Sequence, residues 1–414
     1  MATAAPTGAR YLELDALRGF AVMGILAMNI VGFAMPGQSY LNPGVYGDAG
    51  PADVSAWIFN FILVDGKMRG LFSLLFGASM MLIIQSAEAK GQSPAQIHYA
   101  RMFWLALFGL AHFYLLWFGD ILFLYAVIGC LAFLFRNMDA KRLIRWGLII
   151  FTFGTLLWAL IMAPMLVFQA FSTGPGADPE MAQNYQQMMD DLDVQGEIAR
   201  DLAAYRGSYV DTVQHKLTNY AFQPLVMIFQ VGLETLPMML FGMAMLKNGF
   251  LLGQWSSTDY NRWGWRLTIG GAILSALIAW IQIACDFDVV TVMNAAIAWT
   301  YIPRLMMTIG YAALLLLVIQ RFGGTAFIRR VASAGRAAFT NYLGTSIIMC
   351  AIFYGWGFGL FGSVGRWELY LFVLGMWALM LLWSQPWLIR FRYGPLEWLW
   401  RSLARGKLQR LTIR

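Results

Sequence analysis

The sequence predicts an all-α, polytopic integral membrane protein with about ten transmembrane helices. Of its 414 residues, 59% are hydrophobic and only 12% are charged, whereas about 25% of the residues in a soluble domain are charged. The chain also contains 17 Trp and 17 Tyr, and both side chains favour the interface between lipid and water. The lipid bilayer is therefore the first partner that we expect.

The predicted spans are apolar stretches of roughly 17–25 residues, the length that crosses a bilayer. We expect the first to be a retained helix and not a signal peptide, because no basic segment and cleavage site precede it. One span is too long for a single crossing and is expected to be broken or re-entrant. The ten candidates are 17–35, 54–85, 102–118, 120–135, 145–171, 222–246, 265–285, 300–320, 337–361 and 367–389.

The orientation follows from Lys and Arg, which favour the cytoplasmic side of a membrane. Basic residues cluster in 136–145, in 321–336 and in the tail from Arg390, and Arg10 precedes the first span. These segments and both termini are assigned to the cytoplasm, and Asp48 to the opposite side. The predicted domains are an N-terminal bundle of five spans (1–171), an extracytoplasmic acidic helical segment (172–221), a C-terminal bundle of five spans (222–389) and a basic interfacial cytoplasmic tail (390–414).

The net charge of +7 follows from this topology. The basic tail is expected to lie on anionic lipid, so we expect no nucleic-acid partner. The cysteines Cys130, Cys285 and Cys350 lie in or beside apolar stretches without a CxxC or His pairing. We interpret them as small hydrophobic residues and expect no metal site. Apolar faces serve lipid as well as a second subunit, which leaves a homodimer open.

Within the acidic segment, apolar residues recur at helical spacing. The pattern predicts one amphipathic helix that lies over the bundle. Two interpretations stay open: a lid over an extracytoplasmic cavity, and a passive cap that fills space between helices. The residues that form the pattern are Ile198, Leu202, Tyr205, Tyr209 and Val213.

Chemistry is sought where ionisable groups lie inside apolar spans, because the cost of inserting them makes them rare without a function or a partner. Asp15, Arg18 and Asn29 fall on nearly one face of the first helix. Asp15 and Arg18 form either part of a substrate site or an ordinary interfacial ion pair. Asn29 lies deeper and is expected to bond another helix or a ligand.

The predicted break in 54–85 falls at Asp65-Gly-Lys-Met-Arg-Gly, where two glycines flank three charges. Irregular backbone at this depth requires protein or water to satisfy its polar groups. Asp65, Lys67 and Arg69 are therefore candidate substrate-binding residues, and the alternative is salt bridging that holds helices in register. Glu234 is a further candidate, which ligates, relays protons or merely pairs with Arg304.

His112 is the candidate general base, because an imidazole can accept and return a proton near neutral pH. Asp120 follows it at a tight turn and is expected to orient it. The alternative is a histidine that only satisfies a hydrogen bond. We expect a common cavity to gather Arg18, Asn29, Asp65, Lys67, Arg69, His112, Asp120 and Glu234.

Four segments together resemble the YeiB-like family of bacterial membrane proteins, which carries a domain of unknown function. The resemblance covers nearly the whole chain. The first helix is also similar to that of a wider set of membrane acyltransferases, which includes heparan-α-glucosaminide N-acetyltransferase and the bacterial glycan O-acyltransferases. The segments are LELDALRGFAVMGILAMNIVGF, VDGKMRGLFSLLFGAS, LLWFGDILFLYAVIG, and GRAAFTNYL with RFRYGPLEWLWRSL.

Leu17-Arg18-Gly19 resembles the Leu/Phe-Arg-Gly element of those transferases, and Asn29 matches an Asn that the heparan enzyme's group has eleven residues later. The glycan O-acyltransferases have a catalytic histidine at that offset. The heparan enzyme has a histidine in the external loop after the first helix, but Pro36–Asp53 contains none. This chain therefore departs from the pattern, and His112 is a substitute base inferred from its chemistry.

The resemblance implies an acyltransferase of the bacterial cytoplasmic (inner) membrane. Its co-substrate is acyl-CoA, whose phosphates meet Arg18 and the basic loops, and its acceptor is an unknown hydroxyl or amine, with a glycan or a lipid as candidates. In this hypothesis His112 removes the acceptor proton, Asp120 orients His112, and Asn29 or Arg69 stabilises the oxyanion. The alternative from another class is a proton-coupled transporter or channel for a small molecule, because such carriers also use intramembrane charges and broken helices.

Overall fold

The computed structural model describes residues 11–47 and 50–413 of the chain. Arg10 and Asp48, which contributed to the predicted orientation, lie outside these ranges. The described part is 79% helical and contains no β-strand; an isolated bridge joins Phe391 to Thr412. The predicted all-α class is therefore confirmed.

The α-helices of the described residues are numbered here in chain order. Short 3-10 turns lie at Gly37–Tyr40 and Phe250–Leu252, and π-helical turns lie at Asn60–Val64 and Ala295–Trp299. The helices are α1 (Leu12–Ala34), α2 (Pro51–Phe59), α3 (Lys67–Glu88), α4 (Pro94–Leu115), α5 (Leu122–Phe133), α6 (Ala140–Thr173), α7 (Pro179–Asp191), α8 (Val194–Arg206), α9 (Tyr209–Asn219), α10 (Gln223–Lys247), α11 (Ser257–Ala284), α12 (Val289–Asn294), α13 (Tyr301–Phe322), α14 (Ala326–Arg336), α15 (Ala338–Phe353), α16 (Leu369–Arg390) and α17 (Pro395–Ala404).

Seven helical stretches of the described residues are long and apolar enough to cross a membrane. They are α1, the stretch Pro51–Glu88, α6, α10, α11, α13 and α16. Helices α5 and α15 are apolar but shorter, and α5, with 12 residues, is about 18 Å long, less than a hydrocarbon core of about 30 Å. The chain is thus a helical membrane protein, while the count of ten spans and the orientation of the termini stay predictions.

Helix α1 lies at the centre of the bundle. In its most apolar window 83% of the residues are buried, against 17% in α6. It packs against α3, α14, α15 and α16. The polar residues of α1 therefore face protein and not lipid, which makes Arg18 and Asn29 parts of the interior.

The predicted break in the second span is confirmed. Helix α2 runs into the π-helical turn Asn60–Val64, and Asp65 then leaves helical geometry with ψ 130°. Gly66 has φ +73°, and a Cβ atom at this position would lie 2.3 Å from Nε of Arg304. Both the backbone conformation and the close approach require glycine, so the Asp-Gly sequence specifies the interruption.

A second interruption was not predicted. Helix α12 passes into the π-helical turn Ala295–Trp299 before α13 begins at Tyr301. Arg304 therefore lies in the first turn of α13 and meets the first interruption at Asp65, 3.0 Å away. Two irregular stretches of backbone are thus joined by one buried ion pair.

The acidic segment forms three helices, α7, α8 and α9, so the prediction of one continuous helix was wrong. Ser208 accepts a hydrogen bond from the Asp211 amide while the Asp211 carboxylate accepts one from the Ser208 amide, and this capping box starts α9. A new helix begins there because the cap satisfies amides that have no partner within the helix. Ile198 and Tyr205 are buried, as expected for the inner face of an amphipathic segment. Helices α8 and α9 together are called the cap below.

The basic tail contains α17, which docks on the bundle. The Glu397 carboxylate accepts hydrogen bonds from the amides of Phe339 and Thr340 at the start of α15. The Trp400 indole donates to the Arg101 carbonyl oxygen at 3.0 Å. The carboxylate suits the positive end of α15, and α17 is thereby placed across one end of the bundle.

Candidate active site

A cavity of about 310 Å³ lies between α1, α3, α4, α5, α14, α15 and α17. It is called the arginine-lined cavity here, because four arginines and mostly apolar side chains form its wall. Tyr125 and Tyr342 add polar hydroxyl groups to its lining. The four arginines are Arg18, Arg101, Arg336 and Arg401.

The arginines give the cavity a positive charge that the protein only partly balances. Arg18 pairs with Asp15 at 3.1 Å and donates to Ser79 at 2.7 Å. The guanidinium group of Arg101 lies 4.0 Å from the centre of the Trp400 ring. Neither Arg101 nor Arg401 forms a salt bridge with a carboxylate in the described part of the chain. The cavity is therefore suited to an anionic ligand with an apolar part.

His112 and Asp120 form a buried pair. His112 Nδ1 lies 2.8 Å from Asp120 Oδ1, and the two side chains are 1% and 2% exposed. The other carboxylate oxygen of Asp120 accepts a hydrogen bond from the Phe123 amide in the first turn of α5. A Cβ atom at Gly109 would lie 2.4 Å from this amide nitrogen, so glycine permits the close approach of α4 and α5 that brings the pair together.

The second ring nitrogen of His112, Nε2, is buried and has no hydrogen-bond partner in the described part of the chain. When Nδ1–H donates to the carboxylate, Nε2 is the basic nitrogen of the neutral ring. This arrangement, a histidine oriented by a carboxylate with its other nitrogen available, is the one that general bases use. The predicted contact between His112 and Asp120 is confirmed, while the catalytic role stays a prediction.

Tyr342 separates the arginine-lined cavity from the histidine. Its ring centre lies 5.3 Å from that of His112, and its hydroxyl accepts a hydrogen bond from the Ile121 amide at 3.3 Å. A second cavity of about 10 Å³, lined by Asn29, Trp117 and Tyr342 among others, lies next to it. Asn29, Tyr342 and His112 are thus close neighbours at the inner end of the cavity.

The remaining predicted charges form a separate group, the interruption cluster, which consists of Asp65, Lys67, Arg69, Glu234 and Arg304. Arg304 pairs with Asp65 at 3.0 Å, and Arg69 pairs with Glu234 at 2.8 Å. Arg304 also lies 3.8 Å from Glu234, so the structure contains this pairing, one of the three alternatives left open for Glu234. Lys67 donates to the Phe61 carbonyl oxygen in the π-helical turn.

The expected gathering of eight groups around one cavity was therefore wrong. Of these groups only Arg18 lines the arginine-lined cavity, and Asn29 lines the small one. Tyr125 connects the two regions, because it lines the cavity and its hydroxyl lies 3.2 Å from the Arg69 carbonyl oxygen. These charges lie apart from the cavity because the carboxylates of Asp65 and Glu234 form ion pairs with Arg304 and Arg69.

Sequence reasoning missed Tyr342, the site position of Arg101 and Arg401, and a buried lysine, Lys216, in the cap. Tyr342 carried a signal, since it is a polar residue inside the apolar stretch 337–361. Lys216 carried none, because it lies among polar residues of an acidic segment. The described residues contain no group of three or more His, Cys, Asp or Glu that could hold a metal ion.

Comparison with known proteins gives a family model and two bacterial relatives. The model, described as a protein of unknown function (DUF418), matches residues 245–407. The uncharacterized protein YeiB of Escherichia coli is 30% identical over 407 residues, which cover 95% of this chain and 96% of that protein. The uncharacterized protein YxaH of Bacillus subtilis is 29% identical over 96% of this chain and 94% of its own length. No solved structure matches the chain significantly.

Proposed function

The chain belongs to the family of YeiB, and we propose that it is an acyltransferase of the bacterial cytoplasmic membrane. It moves an acyl group from cytoplasmic acyl-CoA to the hydroxyl or amine of an acceptor, a glycan or a lipid. The observation that carries the proposal is the arrangement of the arginine-lined cavity, Tyr342 and the His112–Asp120 pair in one row. The arginine-lined cavity is suited to binding acyl-CoA, and the His112–Asp120 pair is suited to general base catalysis.

The donor side is supported by size and charge. Ligand sites occupy about 300–1,000 Å³, so a cavity of about 310 Å³ takes the acyl chain and the pantetheine arm, not a whole coenzyme. Arginines bind phosphate oxygens through two parallel hydrogen bonds. Arg101 and His112 are eleven residues apart on α4, or about 17 Å, so the arginines and the base act on different parts of a long donor.

In the proposed reaction, His112 Nε2 takes the proton of the acceptor O–H or N–H as that atom bonds to the thioester carbonyl carbon. His112 then returns the proton to the sulfur as the carbon–sulfur bond breaks, which leaves the acylated acceptor and the free thiol of CoA. Asp120 keeps Nδ1–H in place and stabilises the charged ring. The amide of Asn29 is the candidate donor to the oxyanion, because Arg69 is paired with Glu234.

The test is acceptor-dependent release of free CoA thiol by the detergent-purified protein, with acetyl-CoA and palmitoyl-CoA as donors and a bacterial lipid or glycan extract as the acceptor. Saturable acyl-CoA binding is measured on the same samples. Replacing Arg101 and Arg401 by Gln should weaken this binding about tenfold or more for each lost charged hydrogen bond. Lys141→Gln, on the exposed surface of α6, is the matched control. Absence of saturable binding in the unmodified protein would overturn the proposal.

A transporter remains the second candidate, and one observation favours it. The interruption cluster holds three cations and two carboxylates on two interrupted helical stretches and on α10, and transporters place ion and substrate sites at such interruptions. The candidate predicts flux of an anion or of protons in proteoliposomes without acyl-CoA, abolished by Arg304→Gln. Flux without CoA release would contradict the acyltransferase proposal and support the transporter.

A further inference from the structure

The cap is fastened to two loops at one end of the bundle. Asp201 of α8 accepts a hydrogen bond from the Gly37 amide at 2.8 Å. The carbonyl oxygen of Tyr205 accepts one from the Gly355 amide at 2.8 Å, and Arg206 donates to the Phe361 carbonyl oxygen at 2.9 Å. These contacts hold α8 against the loops that follow α1 and α15, and α9 contacts the end of α4, where the Tyr209 hydroxyl donates to the Leu115 carbonyl oxygen at 2.9 Å.

Beneath the cap, three polar groups are buried without partners. Lys216 is 0% exposed, Tyr205 is 1% and Tyr354 is 0% exposed. The Lys216 ammonium and the two phenol hydroxyls have no hydrogen-bond partner among the described residues. The rings of Tyr205 and Tyr354 lie 4.8 Å apart, and Cys350 is within electrostatic reach of all three groups. Cys350 is therefore the neighbour that the three side chains share.

The charge of Lys216 is not balanced by a neighbouring carboxylate. Asp201 is the nearby acid, but it pairs with His215 at 2.8 Å and accepts from Gly37 and Tyr220. Burial lowers the pKa of Lys216 to about 8, so the amine is mostly protonated at neutral pH. A buried donor without an acceptor costs about 1–3 kcal/mol, and more when it is charged. Three donors, one of which is a cation, thus lie near Cys350 and favour an acceptor with negative charge.

We propose that Lys216, Tyr205 and Tyr354 form a binding site for an anion, the carboxylate or phosphate group of a solute or of a lipid headgroup. An oxyanion supplies the acceptors that all three donors lack, and its charge balances the ammonium group. Because Lys216 is fully buried, the anion enters when α9 loosens from the bundle.

A series of aromatic contacts joins the site to the candidate base. Tyr205 contacts Phe118 at 6.3 Å between ring centres, Phe118 contacts Trp117 at 5.8 Å, and Trp117 contacts His112 at 6.2 Å. Anion binding itself rests only on the cap. If the proposed acyl transfer is also correct, the acceptor carries a negative charge and approaches from the side opposite the arginine-lined cavity.

The first experiment measures thermal unfolding of the detergent-purified, full-length protein at constant ionic strength. Sodium phosphate, sodium acetate and sodium glucuronate are titrated, with glucose as the uncharged control. An anion should raise the melting temperature, with an apparent affinity about tenfold to a hundredfold weaker in Lys216→Met. The double variant Tyr205→Phe with Tyr354→Phe keeps both rings and should weaken binding as well. Lys141→Met, an exposed lysine of α6, should bind like the unmodified protein.

The second experiment separates the two sources of the anion. In nanodiscs of phosphatidylcholine, stabilisation by added anion identifies a solute site; stabilisation by phosphatidylglycerol that Lys216→Met abolishes identifies a lipid headgroup. No stabilisation in either case, or equal stabilisation of Lys216→Met, overturns the inference. CoA release is measured on the same samples: release without anion binding overturns the inference and leaves the proposed function standing, and binding without release does the reverse.

Discussion

The interruption cluster and the His112–Asp120 pair are both buried and ionisable, but they differ in how their groups are paired. In the cluster, each carboxylate bonds an arginine, at 3.0 Å for Asp65 and 2.8 Å for Glu234. In the pair, the carboxylate is satisfied, while Nε2 of His112 has no hydrogen-bond partner among the described residues. Glu234 Oε1 and Arg304 Nε in the cluster also lack one, but both groups are held in ion pairs through their other atoms. A ring nitrogen available beside a cavity can take a proton, whereas a charge held by its neighbours mainly holds them in place.

The positions of the two groups agree with this difference. The cluster joins the interruption at Gly66 to the interruption before Tyr301, where backbone irregularity needs side chains to support it. The pair lies behind Tyr342, at the inner end of the arginine-lined cavity. Buried charge therefore serves architecture in one region and, in our proposal, catalysis in the other.

The largest expected effect is on activity and tests the pair. His112→Asn removes the basic nitrogen and should lower acyl transfer by about 10²–10⁴-fold, with little change in melting temperature. His215→Asn is the matched control, since His215 also pairs with an aspartate at 2.8 Å but lies in the cap. Full acyl transfer by His112→Asn would contradict the assigned role.

The next effect is on stability and tests the cluster. Arg304→Gln leaves Asp65 and Glu234 without one of their cations, and breaking a buried ion pair costs about 3–5 kcal/mol. Thermal unfolding in detergent should show a large loss of melting temperature. Arg101→Gln, whose side chain has no carboxylate partner, should change it much less. Equal stability of the two variants would show that the cluster does not hold the interrupted helices.

Lys216 is a third buried charge, and it has no hydrogen-bond partner within residues 11–47 and 50–413. The difference between its usual pKa of 10.5 and about 8 corresponds to about 3 kcal/mol, at roughly 1.4 kcal/mol per pKa unit. Lys216→Met should therefore stabilise the protein at pH 7 by up to about this amount in the absence of an anion. The penalty is fully present below pH 8 and disappears as the pH rises towards 10.5, so the difference between variant and parent should shrink over that range. Denaturant unfolding at several pH values measures it, and a difference independent of pH would refute it.

The smallest effect concerns the contact that assembles the pair. Gly109→Ala places a Cβ atom 2.4 Å from the Phe123 amide nitrogen and 2.8 Å from Asp120 Oδ2. Overpacking of this kind costs about 1–3 kcal/mol, and acyl transfer should fall with it because Asp120 moves. Gly375→Ala is the matched control, because no atom lies within 4 Å of its Cβ position. If activity fell equally in both variants, the loss could not be assigned to the contact between Gly109 and the Phe123 amide.

Much of the architecture was predictable because its causes are local. Because placing a charge in lipid is costly, a membrane span appears in the sequence as a stretch of about 20 mostly apolar residues. Such stretches predict the helical membrane class. The interruption at Asp65-Gly66 follows from its glycine, and the contacts Asp15–Arg18 and His112–Asp120 join residues three and eight positions apart. The number of cap helices was missed, although the Ser208 capping box is also local.

The sequence by itself determined the helical membrane class, the site of the first interruption and the short-range pairs. Only the tertiary structure decided which charges share a site. Arg69 meets Glu234 across 165 positions and Arg304 meets Asp65 across 239, while Tyr342 reaches Ile121 across 221. A charge in a span must find a partner, but which partner it finds depends on how distant helices pack. For that reason a single cavity was predicted, whereas the structure has an arginine-lined cavity with His112 behind Tyr342 and, apart from it, the interruption cluster of paired charges.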